Sequence, residues 1–288
     1  MSEINQLKPS HNNWTEIIEP ESNLLNINLK EVWRYRDLLL LLVKRDFVTY
    51  FKQTILGPIW FFVNPIFTTI MFTFVFGNLA GLSTDGAPQV SFYLSGIVLW
   101  NYFSNSLNQT ANVFTTNANI FGKVYFPRLI MPLAVVTSNL MQFGVQFLLF
   151  LGVVIYYTIL GDLRPNIWVL MTPFLIILMA GFALGVGMIF SSMTTKYKDM
   201  TMLLTFGVQL FMYVTPVIYP VSSINERFRE FILLNPLTSI VECFRYGYLG
   251  VGDFNVGMLI YSVIVIIVLL IIGTLVFNKV QKGFMDTI

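Results

Sequence analysis

Polar and apolar positions along the chain fall into long blocks, not a fine alternation. Asp, Glu, Lys and Arg are absent from 53–84, 86–122, 129–161, 165–195, 200–225 and 254–278. An ionised side chain in hydrocarbon is costly, so such runs mark stretches able to lie in lipid. Each exceeds the about 20 residues an α-helix needs to cross a bilayer. The pattern predicts an all-α integral membrane fold with six transmembrane helices near 58–80, 92–116, 130–158, 167–191, 202–221 and 256–277. The runs lack the alternating rhythm of barrel strands, which repeats over about ten residues. Pro65, Pro132, Pro173, Pro216 and Pro220 lie in or beside these helices, and each can bend its helix by removing a backbone donor. Gly181 and Gly185, with Gly187 close by, have the spacing that lets two helices approach closely.

The segments between the runs carry their own patterns. Residues 1–28 are polar, without the apolar stretch and cleavage site of a signal peptide, and read as a mobile tail. Residues 29–52 are too charged to cross. On a helical wheel Val32, Tyr35, Leu39, Leu42, Val43, Phe47 and Tyr50 share one side, while Lys30, Arg34, Asp37, Lys44, Arg45 and Lys52 take the other. This predicts an amphipathic helix at the membrane surface, basic on its wet face. It either anchors on acidic lipid or docks a soluble partner. The link 117–128 holds Asn119, Ile120, Phe121, Lys123, Val124, Tyr125, Phe126 and Arg128. Apolar residues in so short a link point to another protein or the membrane surface, or else pack on neighbouring spans.

Between the fifth and sixth runs, Ser223 and Glu226 have the spacing of a capping box, predicting a short helix through Phe231. Asn235 before Pro236 predicts a second capped helix over 237–249, closed by Gly250 and Gly252. Both are too short to span. They are expected at the outer interface or dipping back into the membrane.

Charge then sets orientation. With the N-terminus inside, 13 Lys and Arg residues fall on the cytoplasmic side and four outside (Arg164, Arg227, Arg229 and Arg245). That bias favours cytoplasmic N- and C-termini. The chain is 56% hydrophobic and 11% charged, against about 25% charged in soluble domains. A net charge of +2 gives no footprint for nucleic acid. The one cysteine, Cys243, excludes an internal disulfide, and the one histidine, His11, lies in the tail, so no metal site is expected. There is no phosphate-binding Gly-x-x-x-x-Gly-Lys-Ser/Thr loop. The predicted spans hold no ionisable side chain, which argues against proton- or sodium-coupled transport and against acid–base catalysis within the membrane.

A polar stripe stands out instead. Asn101, Asn105, Asn108 and Asn112 stack on one face of the second span, extended by Ser104, Gln109, Thr115 and Thr116. Ser138, Gln142 and Gln146 repeat the pattern on the third. Uncharged amides and hydroxyls can exchange hydrogen bonds with a hydroxyl-rich solute without trapping it by charge, and Trp100, Tyr102 and Phe103 beside them can pack on sugar faces. Interhelical hydrogen bonding is the alternative use of the same groups.

The order of these features resembles a known family. An amphipathic helix precedes Leu56-Gly57-Pro58 with Trp60, then Phe74-Val75-Phe76-Gly77. Lys123-Val124-Tyr125-Phe126-Pro127-Arg128 and Asn235-Pro236-Leu237-Thr238 follow, the latter with Glu242, Phe244-Arg245 and Leu249-Gly250 behind it. Over roughly 29–285 this is similar to the permease subunits of ABC exporters of lipid-linked polysaccharide, the O-antigen, capsule and teichoic-acid group. The resemblance implies a homodimer in the bacterial inner membrane, with two cytoplasmic ATPase subunits that bind ATP and magnesium, while this chain binds no cofactor of its own. It implies that Arg34, Arg36, Lys44 and Arg45 of the amphipathic helix and the 117–128 link receive the ATPase. It also implies that the helices of 223–250, with Asn235, Pro236, Glu242 and Arg245, form a periplasmic gate. The alternatives are an ABC permease for a small hydrophobic drug or lipid, and an intramembrane enzyme acting on lipid-linked sugars.

Overall fold

The computed structural model describes residues 29–52, 57–121 and 126–284. The tail 1–28 and Lys123, Val124 and Tyr125 lie outside the described residues. Among those described, all regular structure is helical. The amphipathic segment forms two helices meeting at Tyr35, α1 (Leu29–Arg34) and α2 (Arg36–Lys52), where one was expected. Its apolar side packs inward: Leu42 and Val43 are buried against Phe121, Phe126, Ile130 and Met131, with Val32, Tyr35 and Leu39 beside them. Trp33, Leu40 and Leu41 face outward.

Helix α3 (Trp60–Phe72) carries Pro65 in its interior and runs on as a π-helix over Thr73–Leu79. Helix α4 (Gln89–Ala111) is followed by single turns α5 (Val113–Thr116) and α6 (Ala118–Phe121). Then come α7 (Ile130–Leu160), α8 (Thr172–Lys196, entered through a 3-10 turn at Ile167–Met171) and α9 (Met200–Val214). Two short helices, α10 (Glu226–Leu233) and α11 (Pro236–Leu249), precede α12 (Val256–Phe284).

Among the described residues, four segments are long and apolar enough to cross a membrane: Trp60–Leu79, Ile130–Leu160, Ile167–Lys196 and Val256–Val280. Helix α4 has the length, with 23 residues, but its amides dilute its apolarity. Helix α9 has 15 residues and stops at Val214, short of the expected 221. The cause is local. A proline disfavours the helical region for the residue before it. Thr215 accordingly adopts φ −91° and ψ 137°, and the chain turns at Pro216. Pro132 and Pro173 sit in first helical turns, where the missing N–H is harmless.

Helix α8 is the centre of the bundle, and its glycines explain how. A Cβ added at Gly185 would lie 2.9 Å from the Leu269 carbonyl of α12, and one at Gly187 would lie 2.7 Å from Thr110 Cβ of α4. The small residues therefore let α8 touch both neighbours at backbone distance. Aromatic rings fill the space between layers, with Phe103 stacked on Phe182 at 5.3 Å and Phe150 against Phe244 at 5.2 Å.

The capping box does not form. Ser223 Oγ donates to the Pro220 carbonyl (2.8 Å), and Asn225 caps α10 by accepting from the Arg227 N–H (3.1 Å). The cap of α11 is as expected: Asn235 Oδ1 accepts from the Leu237 N–H (3.0 Å), Pro236 opens the helix, and Gly250 closes it at φ +72°. Helix α11 is buried along nearly its whole length among α4, α8, α12 and the Ile167–Met171 turn.

Candidate functional site

Two polar sites lie at opposite ends of α4. The first is a cavity of about 980 Å³ between α2, α4 and α7. Local chemistry on α4 builds it. Asn108 Nδ2 donates to the Ser104 carbonyl and Asn112 Nδ2 to the Asn108 carbonyl, each at 2.9 Å. Side chains that bond the carbonyl four residues back compete with the helix. The helix gives way at Asn112 and again at Asn117, leaving the single turns α5 and α6 at the cavity rim.

Of the expected lining residues, Asn108, Asn112, Ser138 and Gln142 line this cavity. Asn105 does not. Asn101 lies further along α4 and donates weakly to Gln146 Oε1 (3.4 Å) on α7. The amides also tie helices together, the alternative use weighed for them. Asn139 Nδ2 donates to Gln109 Oε1 (3.1 Å), and Thr201 Oγ1 to Asn112 Oδ1 (2.8 Å), tying α4 to α7 and α9. Asn108 Oδ1 and Gln146 Nε2 are buried without a partner. Asn139 was not anticipated, although it continues the polar face beside Ser138 and Gln142.

The aromatic neighbours go elsewhere. Trp100, Tyr102 and Phe103 are buried in the core, Trp100 and Phe103 against Phe211 and Tyr102 against Phe143, so they do not line the cavity. A helix that presents its amides on one face must turn the residues beside them into its neighbours.

From the expected partner-facing set, Arg45, Asn119 and Ile120 stand at the same cavity. The charged wall residues Arg45 and Asp46 neutralise each other through hydrogen bonds of 2.8 and 2.7 Å. Arg34, Arg36 and Lys44 are exposed. Phe121 and Phe126, also named for the partner interface, follow the packing alternative for the link: they stack on each other at 5.7 Å in the core beside Leu42 and Val43, with the Arg128 guanidinium over Phe121.

The second site surrounds α11 at the far end. Glu242 and Arg245 stand on the helix expected at the outer interface or dipping back into the membrane, and they are buried, 2% and 1% exposed. The bundle interior therefore holds a charged pair from the segment between the fifth and sixth charge-free runs. Arg245 sits over the Phe92 ring at 3.7 Å. Its Nη1 donates to the Pro216 carbonyl (2.6 Å), Nη2 to the Val217 carbonyl (2.6 Å) and Nε to Ser95 Oγ (3.2 Å). A Cβ at Gly96 would lie 2.9 Å from Nη2, so this position is open for the guanidinium. Glu242 Oε2 accepts from the Asp253 N–H (2.9 Å). Asn235, besides capping α11, donates to Thr215 Oγ1 (2.9 Å). Together these contacts tie α11 to the break after α9, to the start of α4 and to the loop before α12.

Comparison with known proteins places this architecture. The ABC-2 type transporter family model matches residues 37–249, from α2 through α11. An O-antigen export system permease protein RfbA of Klebsiella pneumoniae is 28% identical over 252 residues, 87% of this chain and 94% of that protein. The RfbA of Myxococcus xanthus is 27% identical over 219 residues, 75% of this chain and 82% of that protein. The capsule polysaccharide export inner-membrane protein CtrC of Neisseria meningitidis is 22% identical over 251 residues, 84% of this chain and 90% of that protein.

Proposed function

Because this chain belongs to the ABC-2 type transporter family, we propose that it is the membrane permease of an ATP-driven exporter of lipid-linked polysaccharide, O-antigen foremost. The names of its relatives support that cargo. The observation that carries the reading here is the amide-lined cavity, whose charged wall residues cancel each other. Such a wall offers hydrogen bonds to hydroxyls without holding a fixed counter-ion, and suits a sugar chain that must move on.

In this reading two copies of the chain assemble in the bacterial inner membrane with both termini in the cytoplasm. Six segments cross: the four long apolar helices, α4, and α9 extended by its following turn. Two ATPase subunits, carrying ATP and magnesium, dock beneath. Arg34, Arg36 and Lys44 on α1 and α2 and Asn119 on α6 offer exposed contacts for them. The pair α10 and α11 gates the outer end. ATP binding changes the permease only through its different affinity for the two arrangements of the dimer. Replacing Asn101, Asn105, Asn108 and Asn112 together with leucine is expected to stop surface delivery of polysaccharide while leaving dimer assembly intact. Undiminished delivery would reassign the stripe to helix packing.

A further inference from the structure

The contacts of Arg245 are unevenly shared. Glu242, one turn before it on α11, is the nearest acceptor of opposite charge, yet Nη1 and Oε1 stand 3.8 Å apart, beyond hydrogen-bond range. The guanidinium spends its short bonds on other elements, at Pro216, Val217 and Ser95. Glu242 Oε1 meanwhile is buried without a short hydrogen bond, while the Val221 N–H of that same segment faces the Glu242 carboxylate. A buried acceptor left empty is costly and calls for an explanation. A shift of about an ångström would bring Nη1 into its range. The arginine thus has two sets of acceptors within reach, one on the segment 215–217 and one on its own helix.

We propose that Arg245 is a two-position latch on the segment 215–223. In the position seen here the guanidinium fastens that segment to α11 and α4. In the other it turns to Glu242 Oε1, and the segment swings away with α10. Glu242 keeps the buried cation satisfied once the carbonyls leave, which lowers the cost of release. The seat is shaped for docking. A Cβ at Gly96 would lie 2.8 Å from the Val217 carbonyl, so α4 admits the segment only because that position is bare. Beyond the buried latch, the one polar tie of Ser222 is exposed: its Oγ donates to Asp85 Oδ1 at 2.6 Å, a bond water can replace. On α10 Phe228, Phe231 and Leu234 already face outward, whereas Val217, Ile218 and Val221 leave buried seats on release, which keeps the released position the minor one.

The movement stands on this geometry alone. That it opens the outer end during export rests on the reading proposed above, so the test has two arms. Spin labels at Phe228→Cys and Ile167→Cys, both exposed positions, report the α10 distance in the full chain in lipid nanodiscs, with buried Cys243 left in place. The wild-type chain is expected to give a major short and a minor long population. Glu242→Gln, which removes the charged acceptor of the released position, should abolish the long one. Arg245→Lys, whose ammonium cannot bridge both carbonyls, should enlarge it several-fold. An identical distribution in all three chains overturns the latch. The second arm joins Asp85→Cys to Ser222→Cys as a disulfide across the exposed tie. Oxidation should lower surface polysaccharide at least tenfold, and reductant should restore it. Full delivery by the oxidised chain overturns the need for release. A wild-type chain that shows the expected distances but restores no surface polysaccharide to cells lacking it refutes the export reading and leaves the latch standing.

Discussion

Replacing Arg245 with methionine separates two kinds of buried charge. In an ordinary buried ion pair the two partners depend on each other, and removing either strands the other at about 3–5 kcal/mol. Here the dependence is lopsided. Arg245 has two carbonyls at 2.6 Å besides Glu242, so Glu242→Gln leaves the guanidinium well satisfied and is expected to cost about 1 kcal/mol. Arg245→Met strands the Glu242 carboxylate and also takes the donor from the Pro216 and Val217 carbonyls. It is expected to cost about 3–5 kcal/mol for the stranded charge. Each carbonyl adds about 1–3 kcal/mol in so far as water cannot reach it. In the double variant the stranded charge is gone but the carbonyls still lack their donor, leaving at least about 2 kcal/mol of loss. Denaturant unfolding of the four chains in mixed micelles gives the cycle directly. Equal losses for the two single variants, with the double variant as stable as the wild type, would show that Arg245 serves its own helix only, and would refute the assignment of its bonds to the segment after α9.

Three further outcomes follow from the packing. Gly185→Val places methyl groups against the Leu269 backbone of α12 and is expected to destabilise the fold by about 1–3 kcal/mol, whereas Gly207→Ala, with open space around it, should leave unfolding within about 0.5 kcal/mol of wild type. Trp100→Ala removes a core side chain and should cost about 3–5 kcal/mol, so a loss of export in this variant should track a loss of folded protein in the membrane by detergent size-exclusion yield. Cysteines at Arg36 and Asn119, both exposed, should cross-link to an ATPase subunit in membranes, while one at buried Phe126 should not; capture from Phe126 alone would reverse the assignment of inner and outer faces of that link.

The charge-free runs located the long helices well because excluding ions from lipid and satisfying backbone groups in a helix act on the same residues. They failed where those two demands part. The run 200–225 is free of charge throughout, but Pro216 ends the helix at Val214, so freedom from charge marks where ions are unwelcome and not where a helix is continuous. What the runs left open was how deeply Arg245 lies: carbonyls from a helix break supply the acceptors that make its burial tolerable, and those acceptors are distant in sequence. Caps were legible where one residue decides them, as at Asn235, and misassigned where two compete, as at Ser223 and Asn225. The amide stripe was legible from spacing. Which of its neighbours face a cavity was not, because that depends on the rings of Phe143, Phe182 and Phe211 filling the far side of α4.

The amides of α4 also bear on how the chain is made. With Asn101, Asn105, Asn108 and Gln109 on a helix of 23 residues, α4 partitions poorly from the translocon into lipid by itself. The partners of two of these side chains, Gln146 for Asn101 and Asn139 for Gln109, both on α7, emerge from the ribosome only later. Helix α4 is therefore expected to wait at the translocon exit until α7 arrives. Chains truncated before residue 130 should leave it poorly integrated in a glycosylation-reporter assay, and chains that include α7 should rescue it. The polarity of one helix thus imposes an order on the birth of the whole bundle.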